Sequence, residues 1–168
     1  MRVAVTGTPG VGKTTATGVV RTDLEVVHLN DLVREEGLTT GTDEERDSLV
    51  VDLEAVSARL ADRTDVLVES HLAHHIDADR TIVLRCAPSE LESRLLDRGE
   101  PEPKAVENAE AEALDVILSE AVDRQGVDSV YEIDTTDEPP EAVAEAIEAV
   151  VSGERTPSVG TVEFTGYL

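Results

Sequence analysis

Two rhythms of apolar residues run along this chain. Short, nearly continuous apolar stretches read RVAVT (2–6), EVVHL (25–29), DVLV (65–68), TIVL (81–84) and SVYEI (129–133). They have the length of strands, and apolar residues at successive positions fit strands covered on both faces of a parallel sheet. Between them the spacing turns helical. A helix is predicted from Lys13 to about residue 21, and a short one over 31–36, with Asn30 and Asp31 as capping residues and Gly37 as its stop. Another is predicted over 46–62, where Leu49, Val50, Leu53, Val56 and Leu60 share one face. Ser89 should cap a helix through Leu96. After the two-proline loop RGEPEPK (98–104), a long acidic helix should run to about residue 124, and a last helix should cover 141–151. Residues 38–47 are polar. Residues 153–168 are rich in Thr, Gly and Pro, with weak alternation at Val159, Val162, Phe164 and Tyr167, and read as a tail or an added edge strand. Strands alternating with helices predict an α/β fold: a five-stranded parallel sheet with right-handed crossovers and helices on both faces. With 168 residues there is room for one domain, expected over 1–152, and not for two.

The turn after the first strand carries the sharpest chemistry. Gly7-Thr8-Pro9-Gly10-Val11-Gly12-Lys13-Thr14 matches G-x-x-x-x-G-K-[ST] at every fixed position, between an apolar strand and a helix. Glycines let successive backbone N–H groups turn inward toward phosphate oxygens, and the helix start adds its positive end. This makes the fold a P-loop nucleotide-binding one. Gly10, Val11, Gly12, Lys13, Thr14 and Thr15 are the expected nucleotide contacts. Lys13 would reach the β- and γ-phosphates of ATP, Thr14 would bind Mg²⁺, and Thr15 would meet the α-phosphate.

Composition narrows the classes. There are 37 acidic against 14 basic residues, a net charge of −23, which argues against general nucleic-acid binding. No apolar run is long enough to span a membrane and no signal peptide precedes the first strand, so a cytoplasmic, membrane-free protein is expected. Cys86 stands alone, which excludes an intrachain disulfide and a cysteine zinc cluster. The only lysines are Lys13 and Lys104, and one of these two fills the position at which the phosphate motif requires a lysine. An acid-rich, lysine-poor chain with 2% aromatic residues resembles the proteins of salt-loving archaea. The same charge could instead face a basic partner, and salt would screen its self-repulsion in either case.

A further set of segments carries a family resemblance. TGTPGVGKTT (6–15), DLVREEGL (31–38), VLVESH (66–71), RLLDRG (94–99) and the region 104–114 stand in the order and spacing of the adenylate kinase isoenzyme 6 family. These are small nucleoside-monophosphate kinases of archaea and eukaryotes, linked also to maturation of the small ribosomal subunit. The resemblance covers about residues 1–151 and leaves the tail outside. It implies a broad-specificity kinase moving the γ-phosphate of MgATP to AMP, with associated ATPase activity and a role in small-subunit maturation. The implied partner, besides the nucleotides, is a ribosomal protein of the small-subunit platform. Residues 29–52 would be the monophosphate-binding segment and 98–108 a short lid. Arg34 matches the family's acceptor-phosphate arginine, and Arg98 its lid arginine against ATP. His71 matches a histidine near the site that could order a water or a phosphate oxygen. Glu69, where the family more usually has Asp, would hold Mg²⁺ directly or through water. The loop 135–139 would lie over the base.

Each residue also has a plainer reading. Arg34 could pair with Glu35 or Glu36, and Arg94 with Glu90 one turn away. His71 could cap the following helix, and His28 is read as a sheet residue. His71, His74 and His75 have no acidic or cysteine ligands at a familiar metal spacing, so no metal cluster is read there. The lid lacks cysteines, which excludes a zinc-bearing lid. Two other classes compete with the monophosphate kinase: an ATP-hydrolysing assembly factor, and a small-molecule kinase of the shikimate type, which shares fold and size.

Overall fold

A computed structural model describes all residues, 1–168. Its strands are β1 (Arg2–Thr6), β2 (Glu25–His28), β3 (Thr39–Asp43), β4 (Ser48–Val51), β5 (Val66–Glu69), β6 (Arg80–Arg85) and β7 (Val130–Asp134). Its helices are α1 (Lys13–Thr17), α2 (Leu29–Glu36), α3 (Leu53–Leu60), α4 (Pro88–Asp97), α5 (Glu102–Ala113), α6 (Val116–Gln125) and α7 (Pro140–Ser152). Five strands form one sheet in the order β2-β5-β1-β6-β7, with every pair parallel. The α/β P-loop architecture read from the sequence is therefore the observed one.

Alternate positions of the central strands feed opposite faces, which is why the strands read as continuous apolar runs. Val3, Val5, Leu67, Ile82 and Leu84 pack with Ala16, Leu91, Ile147 and Val150. Ala4, Val66 and Val68 pack with Val33, Val56 and Leu60. Val83 and Val130 meet Leu118 and Ala121 of α6. No helix is long and apolar enough to cross a membrane.

Several boundaries differ from expectation. The helix predicted over 46–62 begins only at Leu53, with Asp52 as its cap accepting from the Ala55 N–H. The chain before it is an antiparallel hairpin, β3–β4, on which Leu49 and Val50 are exposed. Their helical spacing with Leu53 was coincidental. The first helix stops at Thr17, capped by Gly18, after a β-branched run whose Thr17 hydroxyl returns to the Lys13 carbonyl. Helix α4 is capped by Ala87 with Pro88 leading, not by Ser89. Helix α5 starts at Glu102, so the open loop is shorter than expected. The long acidic helix is two helices, broken where Asp115 takes a left-handed φ of 55° and its carboxylate meets the buried Arg85 guanidinium. The tail makes one parallel bridge, Ser158 to Tyr131 on β7, and ends in a 3-10 turn at Thr165–Tyr167, without becoming a strand.

Candidate active site

The carboxyl ends of β1, β2 and β5 converge in register, since Glu69 lies opposite both Val5 and His28. The phosphate loop leaves β1 at this edge. At Gly7, with φ 145°, a Cβ would stand 2.6 Å from the Leu84 carbonyl oxygen, so only glycine fits between the loop and β6. At Gly10, with φ 96°, a Cβ would strike Leu91 at 2.8 Å.

Lys13 is buried, and its ammonium donates to the carbonyls of Gly7 (2.7 Å) and Thr8 (3.1 Å). Burial lowers its pKa to about 8, against the pull of Glu69 and Glu112 and with a push from Arg98. The Thr14 hydroxyl donates to Glu69 Oε1 at 3.3 Å, while Glu69 Oε2 stands 2.8 Å from His28 Nδ1. Two hard oxygens side by side at the end of β5, Thr14 Oγ1 and Glu69 Oε1, are a donor set suited to Mg²⁺. His71 follows on the same loop. Burial, with Lys13, His74 and His75 nearby, lowers its pKa to about 4, so it is neutral at pH 7.

A cavity of about 170 Å³ joins these groups. Of the residues singled out from the sequence, Gly10, Gly12, Lys13, Thr14, Thr15, Glu69, His71 and Arg98 all line it, together with Pro9 and Asn30. Val11 does not present its side chain there. That side chain packs in the core, and its carbonyl accepts the Thr135 hydroxyl at 3.0 Å. Arg34 stands apart, its side chain 68% exposed, 3.6 Å from Asp31 and bonded to the Asn30 carbonyl. Arg94 pairs with Glu90 at 3.0 Å, the plainer of its two readings, and Lys104 pairs with Glu100 at 3.1 Å.

Two contributors escaped the sequence. Asn30 lies in the first turn of α2 and not at its cap, and accepts from Ser70 Oγ at 3.1 Å. Glu112 of α5 is buried and accepts the Thr8 hydroxyl at 2.6 Å through one oxygen, and Arg85 Nε (2.8 Å) and the Cys86 N–H (3.1 Å) through the other. Its one sequence signal is an acid at helical spacing from the buried alanines Ala105 and Ala109. A larger cleft, about 560 Å³, opens near Met1 at the far end of the sheet. Its charged lining is Asp23, Glu145, Glu148 and Glu154 with one arginine, Arg21, a poor receptor for phosphate.

A glycine-shaped loop around a buried lysine, with an acid and a threonine side by side at the strand ends, defines the P-loop nucleotide-binding class. Comparison with known proteins narrows this. Residues 3–115 match the family described as an AAA domain. The chain is 70% identical over 168 residues to a protein of Natronomonas pharaonis named "Putative adenylate kinase", with all of both chains covered. Proteins of the same name are 62% identical in Halobacterium salinarum, with both chains covered in full, and 43% identical in Methanothermobacter thermautotrophicus, covering 99% of this chain and 98% of that one. The chain belongs to this family of archaeal P-loop proteins. Among solved structures, shikimate kinase from Bacteroides thetaiotaomicron superposes with a TM-score of 0.59 at 15% identity, covering 90% of this chain and 98% of that one. At that identity the likeness is one of fold.

Proposed function

We propose that this protein is a nucleoside-monophosphate kinase that transfers the γ-phosphoryl group of ATP to AMP and related monophosphates. The observation that carries the reading is the single cavity of about 170 Å³ lined by the buried Lys13, by Arg98 and by the Thr14–Glu69 oxygen pair. The name and full-length similarity of the archaeal relatives support it.

A monophosphate oxygen of the acceptor attacks the γ-phosphorus of ATP. The bond to the β–γ bridging oxygen breaks, its electron pair leaves with ADP, and a second ADP forms from the acceptor. Such transfer asks the protein mainly for alignment and charge neutralisation. Lys13 exchanges its two loop carbonyls for the β- and γ-phosphate oxygens. Thr14 and Glu69 would hold Mg²⁺, which supplies neutralisation of the phosphate charge. Of the expected lid 98–108 only the loop before α5 is open, and Arg98 at its head closes over the ATP phosphates. Arg34 turns from Asp31 to the acceptor phosphate, and the exposed β3–β4 hairpin of the segment 29–52 folds inward over it.

A second activity is supported by His71, a neutral imidazole in the cavity wall that can accept a hydrogen bond from a water beside the γ-phosphate. The proposal therefore includes slow ATP hydrolysis. In the role the family resemblance implies, small-subunit maturation, that hydrolysis would act on a basic ribosomal partner, which the acidic surface suits.

Incubation of γ-labelled ATP with AMP tests the reading. Label passing into the β-position of ADP supports phosphoryl transfer. Label appearing only as free phosphate, with or without AMP, would leave the ATPase alone.

A further inference from the structure

The 3-10 turn Ala73–His75 sits behind the cavity, packed against α6, and its two histidines face one carboxylate. His74 Nε2 is 2.9 Å from Glu120 Oε2, and His75 Nε2 is 3.9 Å from the same oxygen. The ligand atoms of all three residues lie within 4.8 Å of one another. The two imidazoles are in contact, tilted by 38° with centroids 4.1 Å apart. Gln125, on the same helix as Glu120, clamps the turn from outside by donating to the carbonyls of His74 and Ile76, both at 3.0 Å.

From this juxtaposition we infer a binding site for a borderline divalent cation such as Zn²⁺, held by His74 Nε2, His75 Nε2 and Glu120, with its remaining position open to solvent on the exposed side of Glu120. Two imidazoles and a carboxylate are a ligand set of zinc chemistry. Tetrahedral ligands about 2.1 Å from a metal stand about 3.4 Å apart, between the two separations seen here. Glu120 is half exposed and free to adjust.

Two further observations fit an ion. First, the other nitrogen of His74 already has the partner a metal-bound histidine requires. His74 Nδ1 lies 2.9 Å from the Thr6 hydroxyl, whose own hydrogen can point to the His71 carbonyl at 3.3 Å. With Nδ1–H donating to Thr6, the Nε2 lone pair is left for a cation, and every group in the chain Thr6–His74 is satisfied. Second, a hydrogen-bonded His74 explains the Glu120 contact alone and leaves unaccounted for the mostly buried His75, whose Nε2 stands 3.9 Å from the same carboxylate oxygen, too distant for a hydrogen bond. An ion between them gives this orientation a cause. The ligands come from segments 45 residues apart in sequence, which is why no spacing motif announces them.

Because Thr6 precedes the phosphate loop and touches both His74 and His71, a bound ion would stiffen the catalytic cavity from behind without entering it. Titration of the chelator-stripped, nucleotide-free full chain with Co²⁺ in molar KCl tests the site. The expected result is visible ligand-field absorption saturating at one ion per chain. His75→Ala and Glu120→Gln should each weaken that binding by about tenfold or more, while Thr14→Ala, on the phosphate side, should leave it intact. Both test positions are more exposed than His74, so folding survives and circular dichroism can verify it. Zn²⁺ should raise the unfolding temperature of the wild type and not of His75→Ala. Absence of the Co²⁺ bands in the wild type, or equal Co²⁺ affinity in His75→Ala and wild type, would overturn the site and leave His74 as a hydrogen-bonded core histidine.

Discussion

In the cavity Lys13 is buried with its ammonium held by two loop carbonyls, while outside it the Arg34 side chain is 68% exposed and meets an exposed aspartate and its own helix's Asn30 carbonyl. The surroundings differ in the same sense. The phosphate loop is pinned by Glu112 to Thr8, by Thr135 to Val11, and by β6 packed under Gly7. The proposed acceptor segment ends in the β3–β4 hairpin, whose residues are exposed or half-buried. The hairpin reaches the rest of the molecule through such contacts as the exposed Arg46–Glu107 ion pair at 3.0 Å, an interaction of small net worth. A donor half built in advance costs little reorganisation when ATP arrives. Helix α2 of the acceptor segment is anchored by Leu29, Leu32 and Val33, but the hairpin, held by few buried contacts, belongs to the low-stability parts of a fold, from which closing segments are drawn. Under the proposed function the difference implies an order, with ATP meeting a formed site and the monophosphate completing one.

The most severe way to break the donor half is Lys13→Ala. It should lower kcat for ADP formation and for hydrolysis by about 10²–10³-fold or more, because the β/γ charge loses its cation. Near-normal turnover in that variant would remove the loop from the mechanism. Glu112→Ala leaves Arg85 short of one of its three carboxylate partners, Glu112, Asp115 and Glu132, in a buried network. A loss of about 3 kcal/mol or more in urea unfolding is expected, with weaker ATP binding as the Thr8 anchor goes. Arg34→Ala acts on the open half only. It should raise KM for AMP by about tenfold to a hundredfold while ATP affinity and stability stay unchanged, since its ion pair is exposed. A parallel loss of ATP affinity would merge the two halves.

Titration sharpens the same contrast. With the free-site Lys13 pKa near 8, the ammonium that binds phosphate is present below pH 8 and lost above it. ATP affinity should be flat up to about pH 8 and then fall by up to about tenfold per pH unit, whereas Lys13→Ala should show no such slope. The smallest effect belongs to His71→Ala, expected to slow hydrolysis several-fold more than phosphoryl transfer. Equal losses in the two assays would deny His71 its water-ordering role.

The donor half was largely legible in the sequence and the acceptor half was not. Strands such as RVAVT and DVLV announce themselves because both faces are buried, and the phosphate loop because its chemistry dictates residue types at fixed places. TTGTD and SLVV form exposed strands that bury no face, so no periodicity marked them, and Leu49 and Val50 fell by chance on the face of the following helix. Glu112 and Asp115 answer to Arg85, 27 and 30 residues away, and only folding reveals that a buried guanidinium breaks the acidic helix there. Arg34 was found by family resemblance, which gives a residue a role without giving it a position. Its place in solvent, outside the cavity, follows from its position on the outer face of α2, whose Leu32 and Val33 turn inward.

The most direct measurement is an initial-rate assay of MgATP turnover in molar KCl, comparing AMP, other monophosphates and no acceptor. Fast ADP formation is expected that requires a monophosphate, saturates with it, and stands well above the acceptor-free rate. ATP turnover that is the same with and without every monophosphate would contradict it, and would make the formed donor half the whole of the enzyme.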